Sequence, residues 1–371
     1  MRLLNTKTFD FGEFYDEQWP EYAILSHRWG EQEVSFQDFE AGNKKDGPGY
    51  AKLLQFRSVA AARGHAWIWM DTCCIDKKSS AELSEAINSM FRWYRKATVC
   101  YAYLVDVPPK TRASKRERED AFNQSKWFQR GWTLQELLAP TAVIFCDQAW
   151  DIIGTKATLS PIIAGVSGIR TKYLESRKAM HSASVAVKMS WASQRQTTRT
   201  EDMAYCLLGL FDVNMPLLYG ENRKAFMRLQ LEIIKKSDDE SVFAWKSDDL
   251  AWGMLAPAPI AFKDSWNVVA YPNMNSLPYS MTNKGLEIHV PRDLQRSQII
   301  EGLDPNENKP SRVKFFPLSC AESGPFGSLC VRIEWQHFGW QRVHCNKLYR
   351  IRERDVWSDE IEVIRVHQSG L

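Results

Sequence analysis

Tyr22-Ala-Ile-Leu-Ser26, running into His27-Arg28-Trp29, is a short apolar stretch that ends in polar residues. It reads as a buried strand opening onto a loop, and the segments after it turn that strand into a fold. Ala51 to Arg63 carries Leu53, Leu54, Val59 and Ala60 at helical spacing, with Gly64 placed to end the helix. Trp67-Ile-Trp-Met-Asp71 predicts a second strand. Ser79-x-x-Glu82 predicts a capping box ahead of a helical stripe of Leu83, Ala86, Ile87, Met90, Phe91 and Tyr94. Val99-Cys-Tyr-Ala-Tyr-Leu-Val105 and Ala142-Val-Ile-Phe-Cys146 predict strands three and four. Strands alternating with helices argue for a parallel α/β sheet with helices on both faces, the flavodoxin-like class.

Further along, the texture changes twice. Lys110 to Asp120 is densely charged and predicts a solvated loop or short exposed helix, a candidate flap. From about 150 to 245 the strand signal fades. Met203, Ala204, Leu207, Leu208 and Phe211 mark one helical face, and Phe226, Leu229, Ile233 and Ile234 another. Then Val268-Val-Ala-Tyr, Gly285-Leu-Glu-Ile-His-Val, Arg312-Val-Lys-Phe-Phe and Cys330-Val-Arg-Ile-Glu-Trp predict an antiparallel β module. The expected division is an α/β domain over 1–150, a helical extension over 151–240 and a β-rich module over 241–371.

Composition excludes more than it selects. The 371 residues are 44% apolar and 25% charged, an ordinary globular balance, and a net charge of +3 argues against nucleic acid as a partner. No apolar run approaches the roughly 20 residues a membrane span needs. Met-Arg-Leu-Leu-Asn-Thr-Lys at the start lacks the apolar core of a signal peptide, so the expected location is cytoplasmic. The eight cysteines, Cys73 and Cys74 among them, form no C-x-x-C pair and read as reduced, buried thiols. No metal and no bound cofactor are expected.

Common catalytic signatures are missing. There is no P-loop, no G-x-S-x-G and no H-E-x-x-H, and Gly47-Pro-Gly49 fails as a dinucleotide fingerprint. What remains is positional. Ligands of parallel sheets bind at the carboxyl ends of the strands. Here those ends carry Ser26-His27-Arg28-Trp29, then Asp71 to Lys77, then the segment from Asp106 to Trp132, and all three are expected to share one rim. In Ser125-Lys-Trp-Phe-Gln-Arg-Gly-Trp132-Thr-Leu-Gln-Glu136, Trp132 and Glu136 stand four residues apart and so share a helix face. A cationic Arg28 suits phosphate, and Trp29 or Trp132 suits stacking on a base or nicotinamide. Equally, Arg28 and His27 can pair with Asp71 or Asp76 and simply brace the loop. A cysteine hydrolase built on Cys73 or Cys74 with His27 rests on residue type alone.

Three of these segments occur together in one family. Tyr22-Ala-Ile-Leu-Ser-His-Arg-Trp-Gly30, Trp67-Ile-Trp-Met-Asp-Thr-Cys-Cys-Ile-Asp76 and Gly131-Trp-Thr-Leu-Gln-Glu-Leu-Leu-Ala-Pro140 resemble the fungal heterokaryon incompatibility (HET) domain over about residues 22 to 146. Met189-Ser-Trp-Ala-Ser, Thr200 to Phe211 and Pro216 to Glu221 resemble the segment that follows it. That resemblance implies a cell-death effector of nonself recognition or innate immunity. Members often continue into a nucleotide-binding and repeat sensor, and an upstream nonself sensor protein is among the partners the resemblance implies.

A more distant resemblance, to TIR domains, implies chemistry. Leu25-Ser-x-Arg28, the helix from Leu83 to Ala97, and Trp132-x-x-x-Glu136-Leu follow the TIR order. It implies NAD as substrate, Glu136 as catalytic carboxylate, Trp132 as pocket wall and Arg28 as the basic residue after the first strand, while the shared rim puts Ser26, His27, Trp29 and Asp71 beside the ligand. It also implies a homo-oligomer, because TIR-type sites are completed between neighbouring subunits. The alternative is a TIR-like signalling module that binds a partner or nucleotide without turnover.

Overall fold

The computed structural model describes residues 1–371 apart from 16–17, 249–250, 272–276, 293–298, 302–311, 324–326, 337–338, 352–360 and 369–371. Contacts divide the chain into two compact units: 1–180 with 195–198 and 205–217, and 181–194 with 199–204 and 218–371. The sequence boundary at 150 falls inside the first unit and that at 240 inside the second.

The first unit is built on β1 (Arg2–Asn5), β2 (Phe11–Glu13), β3 (Tyr22–His27), α1 (Phe36–Glu40), α2 (Pro48–Ala62), β4 (Trp67–Trp69), α3 (Ser80–Lys96), β5 (Val99–Tyr103), α4 (Lys115–Asn123), α5 (Thr133–Leu138), β6 (Val143–Cys146) and β7 (Ile152–Thr155). Its seven-stranded sheet runs β2-β1-β4-β3-β5-β6-β7. β4, β3, β5 and β6 are mutually parallel. In chain order these four follow a 2-1-3-4 arrangement, so the direction of winding reverses between β3 and β5. The edges differ from the purely parallel expectation: β1 and β2 add antiparallel beside β4, and β7 adds antiparallel beside β6. These short strands carry little apolar alternation, which is why periodicity did not reveal them.

Every residue of β3 is buried, as a central strand covered on both faces requires. Successive side chains alternate between those faces. Tyr22 donates to the carbonyl of Trp93 on α3 at 2.5 Å, and α5 packs against both α3 and β3, so Tyr22, Ile24 and Ser26 face α3 and α5. On the other side, Phe56 of α2 meets Tyr101 of β5 with ring centroids 5.9 Å apart. Ala23, Leu25 and His27 therefore look toward α2. Gly64, at φ 83°, ends α2 in the left-handed region that glycine tolerates.

The capping box at α3 is only half formed. Ser79 accepts from the N–H of Glu82, but the Glu82 carboxylate turns away to the N–H of Asp76 at 2.8 Å and to Arg2 at 2.9 Å. The charged stretch forms exposed α4, with a complete capping box between Ser114 and Glu117.

Beyond β7 the chain is helical: α6 (Ser160–Ser167), α7 (Thr171–Glu175), α8 (Arg177–His181), α9 (Val185–Ala192), α10 (Asp202–Tyr205), α11 (Leu208–Phe211) and α12 (Lys224–Lys236). α11, in the first unit, packs on α3. The second unit holds β8 (Ala251–Trp252), β9 (Val268–Ala270), β10 (Ser280–Thr282), β11 (Gly285–Pro291), β12 (Ile299–Glu301), β13 (Val313–Pro317), β14 (Cys320–Glu322), β15 (Ser328–Gln336), β16 (Gly339–Val343), β17 (Tyr349–Ile351) and β18 (Ile361–Val366). Its nine-stranded sheet is antiparallel throughout except where β16 meets β18. Among the described residues no helix is long and apolar enough to cross a membrane.

Candidate functional site

Alternation along β3 decides which groups can meet. Ser26 and His27 are neighbours in sequence, yet their side chains leave opposite faces of the sheet, so the expected single rim is two clusters joined at the strand end.

On the α5 side, Trp127 Nε1 donates to Ser26 Oγ at 2.9 Å, and the Ser26 hydroxyl donates to Glu136 Oε2. An indole N–H can only donate, so Ser26 Oγ accepts from Trp127 and its own proton is left to point at the Glu136 carboxylate. Glu136 is thus turned inward, with 7% of its surface exposed. Burial raises its carboxyl from 4.5 to about 7, against Arg130, the Ser26 hydroxyl and Arg195, with Asp71 adding to the rise. Helix α5 is only six residues long, and Trp132 is its N-cap, with helical φ −61° and ψ −34°. Trp132 and Glu136 keep their i, i+4 relation, and Trp132 is half-buried.

The short helix is held from outside. Arg195 Nη1 donates to the carbonyl of Arg130 and to Thr133 Oγ1, both at 2.9 Å. The backbone of Gly131 donates to Gln196 O at 2.8 Å. At the other end Lys156 Nζ donates to the carbonyls of Leu137 at 3.1 Å and Pro140 at 2.5 Å, capping α5 from β7 and its turn.

On the α2 side, His27 lies between two carboxylates. Its Nε2 is 3.7 Å from Glu33 and its Nδ1 is 3.8 Å from Asp71, and neither nitrogen has a hydrogen-bond partner. The ring is 3% exposed, and burial lowers its pKa first, with Lys52 adding to the effect. Burial would raise Glu33, but His27 and Lys52, the latter at 2.5 Å, hold that carboxyl down near 2.

The outer edge joins the clusters. Trp29, 48% exposed, donates its indole N–H to Asp71 Oδ2 at 2.7 Å. Lys77 Nζ lies 3.7 Å and the Arg130 guanidinium carbon 5.0 Å from the Trp29 ring centroid. Arg130 also donates to the His27 carbonyl at 3.4 Å.

Of the residues singled out in the sequence, Ser26 meets Glu136, and His27 and Trp29 meet Asp71. Arg28 and Trp132 make no hydrogen bond or ion pair to any of these among the described residues. Trp127 and Arg130 lay inside the quoted motif without a signal of their own. Lys77 stood at the end of the Asp71–Lys77 segment without a role of its own, and Glu33, Lys52 and Arg195 carry no sequence signal at all. The cysteine reading fails on chemistry: Cys73 and Cys74 are buried, and the Cys73 thiol is pushed well above its ordinary range by Cys74 and by burial. Among the described residues no group of three or more His, Cys, Asp or Glu side chains could hold a metal ion.

Comparison with known proteins supplies a family. The chain is 47% identical over 227 residues to the vegetative incompatibility protein HET-E-1 of Podospora anserina, an alignment covering 59% of this chain. It spans 16% of that relative's length. No solved structure matches the chain. The profile of the heterokaryon incompatibility protein (HET) family matches residues 22–119, from the first residue of β3 into α4, and stops short of α5. Residues 22–119 are thus similar to the heterokaryon incompatibility (HET) family, and 227 residues of the chain to a fungal incompatibility protein.

Proposed function

We propose that this HET domain is a cell-death effector of fungal incompatibility that hydrolyses NAD at its nicotinamide–ribose bond, with Glu136 as the catalytic carboxylate. The observation that carries the reading is the Ser26–Glu136 pair: a buried carboxyl, tuned to about 7, at the carboxyl end of the central strand where the winding reverses. The distant TIR resemblance of the same residues supports it, and so does the incompatibility named for the relative in Podospora anserina.

The chemistry asks little of the protein. As the C1′–N bond lengthens, its electron pair leaves with nicotinamide and the ribose gains oxocarbenium character. An adjacent carboxylate stabilises that charge. Water then adds at C1′, giving ADP-ribose and a proton. The cationic pyridinium leaves as a neutral base, so no second acid is required. A carboxyl raised to about 7 gains its ionised form as pH rises through neutrality, and the Ser26 hydroxyl orients it. In this reading Trp132 flanks the nicotinamide, and Trp29, Arg28, His27 and Asp71 border the remainder of the substrate. The domain acts as a homo-oligomer, under an upstream nonself sensor.

A second reading is favoured by the 7% exposure of Glu136: the pair is an internal brace, and the rim binds a nucleotide or partner without turnover. The two separate in one assay. The 371-residue chain is incubated with NAD across a range of protein concentrations, and nicotinamide and ADP-ribose are quantified. Release of both in equal amounts is expected; no release at any concentration sinks the hydrolase.

A further inference from the structure

The geometry points to a diphosphate-binding clamp formed by Lys77 and Arg130 across the exposed indole of Trp29, a site for the organic diphosphate of a nucleotide. It rests on the nucleotide reading above for the identity of its ligand, and adds the residues that hold the phosphates.

Lys77 comes from the loop after β4 and Arg130 from the loop before α5, 53 positions apart in sequence, yet both cations close on one ring. Neither has a carboxylate within ion-pair distance among the described residues. Asp71 accepts from the Trp29 N–H and faces the His27 ring, and it is the carboxylate whose charge both Lys77 and Arg130 feel. Glu33 is committed to Lys52. Arg195 adds a further buried cation beside Arg130, kept charged at neutral pH because burial lowers it only to about 10. Against Lys77, Arg130 and Arg195 stand only Asp71 and Glu136, so the strand end carries surplus positive charge that an anion would neutralise.

The geometry also suits the shape of a diphosphate. Arg130 presents a planar fork and Lys77 a compact point charge, the combination that engages neighbouring phosphate groups. Lys77 keeps an exposed side chain, while Arg130 is half-buried and reaches the His27 carbonyl with one nitrogen, and both lie against the Trp29 ring. Arg130 is in addition the electrostatic neighbour that most opposes the rise in the Glu136 pKa. A diphosphate bound there therefore lies beside the carboxylate. Arg28, the cation expected from the sequence to meet phosphate, takes no part in this convergence.

The test is calorimetric titration of the full chain with ADP and, separately, with adenosine, at low and high salt. Native protein should bind ADP with an affinity that falls as salt rises. Lys77→Ala and Arg130→Gln should each weaken ADP by about tenfold while leaving adenosine unchanged, and Lys77→Arg should restore most of the loss. Undetectable ADP binding by the native protein, ADP affinity unchanged in Lys77→Ala, or an equal loss for adenosine would each overturn the clamp. Nicotinamide release is scored independently. Lys77-dependent ADP binding without NAD cleavage would leave the clamp standing and remove the hydrolase, whereas NAD cleavage with ADP affinity indifferent to Lys77 would do the reverse.

Discussion

Glu136 is a carboxyl that folding makes hard to ionise. Its folded pKa of about 7 lies above the ordinary 4.5, so the folded chain holds this proton more tightly than the unfolded chain does. The resulting stability is complete below about pH 4.5 and is lost as pH rises through 7, a swing of about 3 kcal/mol. Glu136→Gln cannot ionise and escapes that loss. Its stability relative to native protein should therefore improve between pH 5 and pH 8.5, measured by urea midpoints; a constant offset at both pH values would contradict the assignment. Ser26→Ala removes the hydroxyl that orients the carboxylate and leaves Trp127 Nε1 without its acceptor. It should cost about 1–3 kcal/mol, and an unchanged melting curve would mean the relay carries no weight.

The elements that present these residues depend on close backbone approach. A Cβ on Gly131 would stand 2.5 Å from Thr197 Cγ2 and 3.2 Å from Cys206 Sγ, so Gly131→Ala must push the loop before α5 off its support. We expect a loss of about 1–3 kcal/mol. Gly209 on α11 is tighter, its Cβ falling 2.0 Å from Phe91 Cβ on α3, an atom with no freedom to swing aside. Gly209→Ala should destabilise at least as much as Gly131→Ala, and thermal melts that rank them in the opposite order would contradict this packing. Much at this scale was legible beforehand. β3, β4, β5, β6, α2 and α3 all follow from apolar periodicity and its punctuation, and β9, β11, β13 and β15 from short β-branched and aromatic runs. The edge strands β1, β2 and β7 did not announce themselves, because strands this short show no alternation to read. The capping box at Ser79 misled for a different reason: Asp76 and Arg2 compete for Glu82, and such tertiary competition is invisible in a four-residue pattern.

Across the whole molecule, the strand order supplied what the sequence motifs could only suggest. Ser26, His27, Trp29, Asp71 and Glu136 were all legible as candidates, since parallel strands with polar ends gather at one edge. That Ser26 and His27 part to opposite faces follows from alternation along β3. The partners that set their chemistry, Lys52 on α2, Glu33 ahead of α1 and Arg195 far along the chain, could be found only in three dimensions. The central claim joins these scales: one buried glutamate at the end of the central strand cleaves NAD. The direct test is nicotinamide release by native protein and by Glu136→Gln, compared at equal concentration and matched fold, across pH 5.5 to 8.5. The account predicts release by the native protein that rises with pH through about 7, and a loss of at least about a hundredfold in Glu136→Gln. Release undiminished in Glu136→Gln would contradict it.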